Sequence, residues 1–133
     1  MRTGSIGNRD AETLINTLVE PKRSTLMKLR SALLLRGYSE EAGYDAINIE
    51  SYVSYSVSNV PRFTLKHKWE LAVIFVLQNQ KEHDDLSLRL PSIKERQFEQ
   101  NAEDGTLWLK LDPASESQLI LNLADFYARD RGA

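Results

Sequence analysis

Hydrophobic positions recur at helical spacing in the first 37 residues and predict two helices, over residues 10–20 and 24–36. Pro21 lacks the backbone N–H that would continue the first helix, so it marks the end of that segment. Ser24 is a suitable N-cap for the second helix, and Gly37 supplies a left-handed residue that ends it. The apolar stripes behind both predictions are Leu14, Ile15, Leu18 and Val19, then Leu26, Leu29 and Leu33.

After residue 51 the apolar residues recur at every second position, which is typical of strands. Val53, Tyr55 and Val57 alternate with serines and predict a half-buried strand, which Pro61 interrupts. The segment 69–77 is apolar on both faces, and this predicts a central strand that is covered on both sides. Further alternation predicts strands at 63–65, 86–90 and 107–111.

The remaining segments have weaker patterns. Residues 39–41 predict a single short turn of helix, and the charged segment 92–104 predicts a short helix or a mobile surface segment. A closing helix follows Asp112-Pro113, because proline is favoured in the first helical turn and Ser115 with Gln118 forms a possible capping box. Its apolar stripe is Leu119, Leu123 and Phe126.

The order of these elements predicts the fold class. Helices come first, the strands are grouped in the middle, and one helix closes the chain, which is typical of an α+β fold. We expect a mostly antiparallel sheet of about four to five strands, with the N-terminal and C-terminal helices packed on one face. We expect a flexible tail at residues 1–9 and a single domain over residues 10–133.

Composition narrows the function classes. The chain has 133 residues, 41% of them hydrophobic and 27% charged, which suits one globular domain. The lack of cysteine excludes disulfides, zinc–thiolate sites, iron–sulfur clusters and thiol nucleophiles. The strongest apolar run, 71–77, is far shorter than a membrane span of about 20 residues. We therefore expect a cytoplasmic protein that does not enter a membrane.

Charge is distributed unevenly along a chain whose net charge is only −2. Residues 1–37 carry seven basic and three acidic side chains, whereas residues 38–51 carry four acidic and no basic ones. The whole chain therefore lacks the basic bias of many nucleic-acid-binding proteins. The local asymmetry fits either a solvated helix face or a binding surface.

The residues that usually carry catalysis or bind metals are poorly placed in this sequence. His67 lies between Lys66 and Lys68, which disfavours both its protonation and a bound metal. His83 has acidic neighbours, but these are contiguous in sequence, and contiguous side chains rarely converge on one ion. No G-x-S-x-G motif and no phosphate-binding glycine loop occurs. We therefore expect no catalytic residue, no cofactor and no metal.

Basic residues next to aromatic ones provide a possible nucleic-acid surface. Single-strand binding uses cations beside aromatic rings, and Phe63 and Trp69 lie close in sequence to several lysines and arginines. The alternation of the strands also places both aromatic residues at core positions, so core packing is the simpler interpretation for them. The candidate nucleic-acid residues are Lys22, Arg23, Lys28, Arg30, Arg62, Lys66 and Lys68.

Several segments together are similar to a group of small bacterial domains. The matching pieces are Leu26-Met27-Lys28-Leu29, Tyr52-Val53-Ser54-Tyr55, Phe63 to Leu77, Trp108-Leu109-Lys110-Leu111, and Ser115 to Tyr127. Over roughly residues 24–128 the chain resembles the YdhG-like and YjbR-like α+β domains of unknown function. The resemblance implies an α+β fold and carries no activity with it.

Three function hypotheses follow from the sequence. The first is a non-catalytic binding or interaction domain, whose partner is another protein or a second copy of the chain. The alternative is a nucleic-acid-associated accessory domain that uses the basic residues named above. The third is an enzyme with an unrecognised site, for example one built from Tyr52, His67 and the pair Glu40 and Glu41.

Overall fold

The computed structural model of the chain describes residues 11–45, 50–66 and 72–132. Over these residues two helices precede four successive strands, and two short helices, two further strands and a closing helix follow. The elements, in chain order, are α1 (residues 11–16), α2 (Lys22–Leu35), β1 (Ser39–Asp45), β2 (Glu50–Val57), β3 (Val60–Lys66), β4 (Ala72–Leu77), α3 (Gln80–Arg89), α4 (Pro91–Lys94), β5 (Glu99–Gln100), β6 (Leu107–Leu111) and α5 (Ser117–Gly132).

The strands form one six-stranded sheet in the order β1-β2-β3-β4-β6-β5. Every neighbouring pair is antiparallel. The predicted α+β class and antiparallel sheet are therefore confirmed, although the sheet has six strands and not four to five. The additional strands are β1 and β5, which lie at the two edges.

The hydrophobic core lies between one face of the sheet and the helices. A row of large residues crosses this face from β2 to β6: Tyr55, Phe63, Phe75 and Leu109 are successive cross-strand partners. The rings of Phe63 and Phe75 lie 5.4 Å apart between centroids. Helical residues complete the same buried cluster: Ala11, Leu14, Ile15, Leu26, Leu29, Leu33, Leu86, Ile93, Ile120, Leu123, Ala124 and Tyr127. The terminal helices thus pack on one face, as predicted.

The boundaries of the first two helices differ from the sequence prediction. The first helix ends at residue 16 and not at residue 20. Directly after it, Thr17 donates both its N–H and its hydroxyl to the Leu14 carbonyl. Ser24 is not the N-cap, because α2 begins two residues earlier. The Glu20 carboxylate instead accepts bonds from the N–H and the hydroxyl of Ser24. Gly37, with φ of 91°, follows α2 as predicted.

Two element predictions are wrong. Residues 39–41 belong to β1, where they pair with β2 and form no turn of helix. Residues 86–89 lie in α3, which begins after Asn79, and Asn79 caps the helix by accepting a hydrogen bond from the N–H of Glu82. Leu86 is buried while Leu88 is 83% exposed, as helical spacing requires and strand alternation would not.

The strands β2 and β3 form a tight hairpin. Ser58 and Asn59 both have positive φ, 54° and 65°, which is the backbone of a turn that matches the twist of paired strands. Pro61 lies inside β3 opposite Ser56, and the register then shifts, so that Arg62 is an extra, bulged residue. The interruption predicted at Pro61 is therefore this hairpin turn and bulge.

The described part of β4 has the predicted burial on both faces. Val73, Phe75 and Leu77 face the core, and Ile74 and Val76 are buried on the opposite side. Residues 69–71 of the predicted strand, and the predicted tail at residues 1–9, lie outside the described residues. Among the described residues, no helix is both long and apolar enough to cross a membrane.

Candidate functional site

The side of the sheet opposite the helical core carries a mixed surface that we name the outer face. Its members alternate with the core positions along each strand. The strand register places Ser54 opposite Thr64, Thr64 opposite Ile74, and Ile74 opposite Lys110. The described residues of the outer face are Glu41, Gly43, Tyr52, Ser54, Ser56, Thr64, Lys66, Ile74, Val76, Glu99, Trp108 and Lys110.

Trp108 is a large, partly exposed residue of the outer face, and its orientation is held by a short hydrogen-bond chain. Its indole N–H donates to the Thr106 hydroxyl at 2.9 Å, and that hydroxyl donates to Asp104 at 2.7 Å. The backbone N–H of Thr106 also donates to Asp104, and these bonds lower the pKa of the Asp104 carboxyl. Asp104 thus stays ionised and keeps the indole in place.

Lys66 reaches across the sheet to this tryptophan. Its Nζ lies 5.1 Å from the centroid of the Trp108 ring, a cation–π contact. Lys66 belongs to β3 and Trp108 to β6, so the lysine side chain passes over β4, which lies between these strands.

A concave pocket of about 530 Å³ opens beside Trp108. This volume is within the range of small-molecule sites. The wall combines apolar groups with hydrogen-bond donors and acceptors, and the Arg96 guanidinium in it forms an ion pair with Glu116. The lining residues are Ile74, Arg96, Gln97, Glu99, Trp108, Leu109 and Lys110.

A second aromatic ring lies on the same face at the other side of the sheet. Tyr52 is the cross-strand partner of both Gly43 and Lys66. A Cβ atom added at Gly43 would lie 2.6 Å from the Tyr52 hydroxyl oxygen and 2.7 Å from Cζ. The Tyr52 ring therefore lies across the glycine, whose missing side chain makes room for it.

The structure distributes the seven predicted nucleic-acid residues over different places. Lys22, Arg23, Lys28 and Arg30 lie on α2, which packs on the core side of the sheet, whereas Lys66 lies on the outer face. Lys68 lies outside the described residues. The described members therefore do not form one continuous surface.

The three arginines of that set are engaged within the protein. Arg23 contacts Glu20 at 3.2 Å, and Arg30 donates to Glu40 at 2.7 Å. The bond from Glu40 raises the pKa of Arg30. The third, Arg62, binds Glu82 as described next. These cations already have carboxylate partners, which compete with a phosphate for them.

Arg62 is a buried member of the core side. Its guanidinium donates to both carboxylate oxygens of Glu82, at 2.8 and 2.9 Å, and lies 3.9 Å from the centroid of the Tyr127 ring. Only 6% of the residue is exposed. The bulge turns Arg62 toward the helices, and its neighbour Phe63 is fully buried in the core, as the simpler interpretation predicted.

The candidate catalytic residues His83 and Glu40 also have partners within the protein. His83 contacts Gln80 and Asp84 and packs edge-on against Phe98. The Glu40 carboxylate accepts a 2.7 Å bond from the Tyr55 hydroxyl besides the bonds from Arg30. Within the described ranges, no group of three His, Cys, Asp or Glu residues is placed to hold a metal ion.

Tyr55 is the clearest sign that the Glu40 network is structural. Burial is the main reason why the pKa of Tyr55 is raised, followed by its bond to Glu40, so this hydroxyl stays protonated. A tyrosine that holds its proton and an acid that is already bound by an arginine do not form an acid–base pair. The tyrosine that the enzyme hypothesis names, Tyr52, lies on the outer face, on the opposite side of the sheet from the Glu40 network, and His67 lies outside the described residues.

The chain matches no protein-family model, no curated protein and no solved structure. The resemblance to the YdhG-like and YjbR-like domains therefore stays a prediction.

Sequence reasoning missed Trp108 as a site residue. The signal was present, because the alternation of Leu107, Leu109 and Leu111 places this tryptophan on the opposite face of the strand. A large aromatic residue on the non-core side of a strand is a candidate contact residue. The contact with Lys66 had no such signal, since it depends on the order of the strands in the sheet.

Proposed function

We propose that this chain is a non-catalytic binding domain whose ligand lies on the outer face and contacts Trp108. The ligand is a nucleotide-type molecule, with a planar heterocycle that stacks on the indole and an anionic group that pairs with Lys66. The observation that carries the proposal is the oriented Trp108, with the Lys66 ammonium over its ring at the edge of a pocket.

The wall of the pocket suits the edge of a heterocycle. Arg96 and Lys110 are hydrogen-bond donors, Glu99 is an acceptor, and Gln97 is both. A nucleobase carries donors and acceptors on the same edge, whereas a simple aromatic acid does not. The heterocycle stacks on the Trp108 indole, whose orientation is already fixed by the hydrogen bonds through Thr106 to Asp104. Less conformational entropy is therefore lost on binding.

Lys66 can exchange its contact with the Trp108 ring for an ion pair with an anionic ligand. An exposed cation–π contact contributes about 0.5–1 kcal/mol, less than a charge-assisted bond to phosphate. When a base stacks on Trp108, the ammonium moves off the ring and remains next to the phosphate. The proposal includes the cytoplasmic location expected from the cysteine-free composition.

Adenosine 5′-monophosphate tests this function, because it combines one base with one phosphate. The indole N–H resonance of Trp108, assigned with a Trp108→Phe variant, serves as the NMR signal. We expect a saturable shift with the nucleotide and weaker shifts with adenosine or ribose 5-phosphate alone. Lys66→Ala should weaken binding, whereas Lys28→Ala, which removes an exposed lysine of α2, should not. An unchanged Trp108 signal at saturating nucleotide would overturn the proposal.

Association through β1 is the second candidate, and it covers a second copy of the chain or another protein. In the described part of the chain, β1 pairs with β2 on one side and forms one edge of the sheet. Tyr44 on this strand is 50% exposed. Sedimentation velocity at increasing protein concentration should show a dimer that Tyr44→Lys weakens, because edge lysines oppose strand pairing. A sedimentation coefficient that stays at the value of a monomer at every protein concentration would rule out self-association.

A further inference from the structure

We infer that the ligand of the outer face is single-stranded nucleic acid, which runs across the sheet from Trp108 over Lys66 to Tyr52. This inference rests on the proposed function and extends it from one nucleotide to a strand. The observation behind it is a lysine placed between two aromatic residues. Tyr52 is the cross-strand partner of Lys66, and the Lys66 ammonium lies over the Trp108 ring.

The distance between the rings fits a short strand. Tyr52 is on β2 and Trp108 on β6, three strand spacings apart. Tyr52 is level with Ala72 of β4 and Trp108 with Val76, so the two positions are also offset by four residues along the strands. Three spacings of about 4.8 Å and an offset of about 13 Å separate them by about 20 Å. Bases stacked about 3.4 Å apart would need about six nucleotides for this distance, and a strand whose bases are splayed apart covers it with about four. Single-strand-binding domains occupy from about 4 nucleotides upward.

The surface between the two rings is low and mixed, because β4 contributes the apolar Ile74 and Val76 while β2 and β3 contribute hydroxyls. Ser54 and Thr64 are cross-strand partners there, and both are only partly exposed. Their short side chains leave room for a backbone to pass, and their hydroxyls suit sugar and phosphate oxygens. The Tyr52 ring lies across Gly43, and the residue is partly exposed. We infer that a base stacks on the ring face that is turned away from the glycine.

A duplex fits this arrangement poorly, because its base faces are already stacked on one another. The stacking mode therefore selects single strands. The charge of the face limits the number of phosphate contacts. Lys66 and Lys110 are the lysines among the described outer-face residues, and Glu41 and Glu99 are its carboxylates, so the binding constant should depend weakly on salt. Two phosphate contacts on a single strand give a logarithmic salt slope of about −1.4.

Oligonucleotide length separates this inference from the proposed function. Fluorescein-labelled single strands of about four and about eight nucleotides, together with adenosine 5′-monophosphate, form the probe set. We expect affinity to increase from the mononucleotide to the tetramer and then to level off. Tyr52→Ala should weaken the tetramer about tenfold and leave the mononucleotide unchanged. Leu88→Ala, which removes an exposed apolar side chain of α3 away from the outer face, is the matched control.

A further variant guards against an effect on folding. Tyr52→Leu keeps an apolar cover over Gly43 but lacks a flat ring, so it should weaken the tetramer as Tyr52→Ala does. Equal affinity for the mononucleotide and the tetramer, with no effect of either Tyr52 variant, would overturn the strand inference and leave the proposed function standing. Equal binding of duplex would overturn it too. Failure of every probe to shift Trp108 would overturn both.

Discussion

Arg62 and Glu82 form the most deeply placed ion pair of the described chain, with two hydrogen bonds of 2.8 and 2.9 Å between guanidinium and carboxylate. The arginine side chain is 7% exposed and the glutamate side chain 29%. The pair joins β3 to the first turn of α3. Glu82 also accepts the backbone N–H of Gln78, so it connects the end of β4 to the same point.

Removal of the negative partner should therefore be costly. In a Glu82→Gln variant the buried guanidinium loses its counter-charge, and we expect the free energy of unfolding to fall by about 3 kcal/mol. Urea denaturation measures the change. Glu41→Gln, at an exposed position of β1, should change stability by less than about 0.5 kcal/mol. A loss below that limit at Glu82 would show that the pair contributes little.

The same pair should make stability depend on pH in acid. Its bonds to Arg62 lower the pKa of Glu82 below its ordinary value of 4.5, so the unfolded chain binds the proton more readily. The stability contributed by Glu82 is then present above about pH 4.5 and is lost as the pH falls through the folded pKa. Urea midpoints from about pH 3 to about pH 7 should fall less steeply in Glu82→Gln. Parallel curves for both proteins would contradict this origin.

The start of α3 depends on one amide side chain. Asn79 accepts the N–H of Glu82 at 3.0 Å, and Asn79→Ala removes this cap. We expect a loss of about 1 kcal/mol in the free energy of unfolding, measured by urea denaturation. Lys81→Ala, in the same turn and exposed, is the control. An unaffected Asn79→Ala protein would argue against the helix at this segment.

Gly43 offers a test of the Tyr52 platform that leaves the tyrosine in place. In Gly43→Ala the new methyl group would collide with the Tyr52 ring, and the ring must move off the sheet. We expect a destabilisation of about 1 kcal/mol and weaker binding of the tetramer, with mononucleotide binding unchanged. Fluorescence anisotropy and the Trp108 resonance measure the two affinities. Tetramer binding at the level of the unaltered chain would show that the ring position does not matter.

The parts of the fold that the sequence predicts are those where burial is periodic. Val53, Tyr55 and Val57 alternate cleanly, and the corresponding strand was predicted. The strand β1 contains few apolar residues. It is an edge strand held by backbone pairing with β2, and such pairing leaves no hydrophobic pattern in the sequence. The leucines at 86, 88 and 90 fit strand spacing, and only the Asn79 cap reveals the helix.

The candidate site shows a similar limit. Alternation places Trp108 on the outer face, and this can be inferred from β6 alone. Its contact with Lys66 requires that β4 lie between β3 and β6, which no local pattern encodes. The engagement of Arg23, Arg30 and Arg62 with carboxylates likewise depends on the folded arrangement, so a count of charges in sequence overestimates the cations available to a ligand.

The two edges of the sheet are unequal: β1 has seven residues, whereas β5 has two. A strand of about five residues is the usual length for pairing, so β5 is too short to serve as a template for another chain. Growth of the sheet is therefore possible mainly at β1. In a dimer that forms through β1, the long edge strand of each copy is already paired. Such a dimer is symmetric, and no long edge strand remains for further copies to extend it into a fibre.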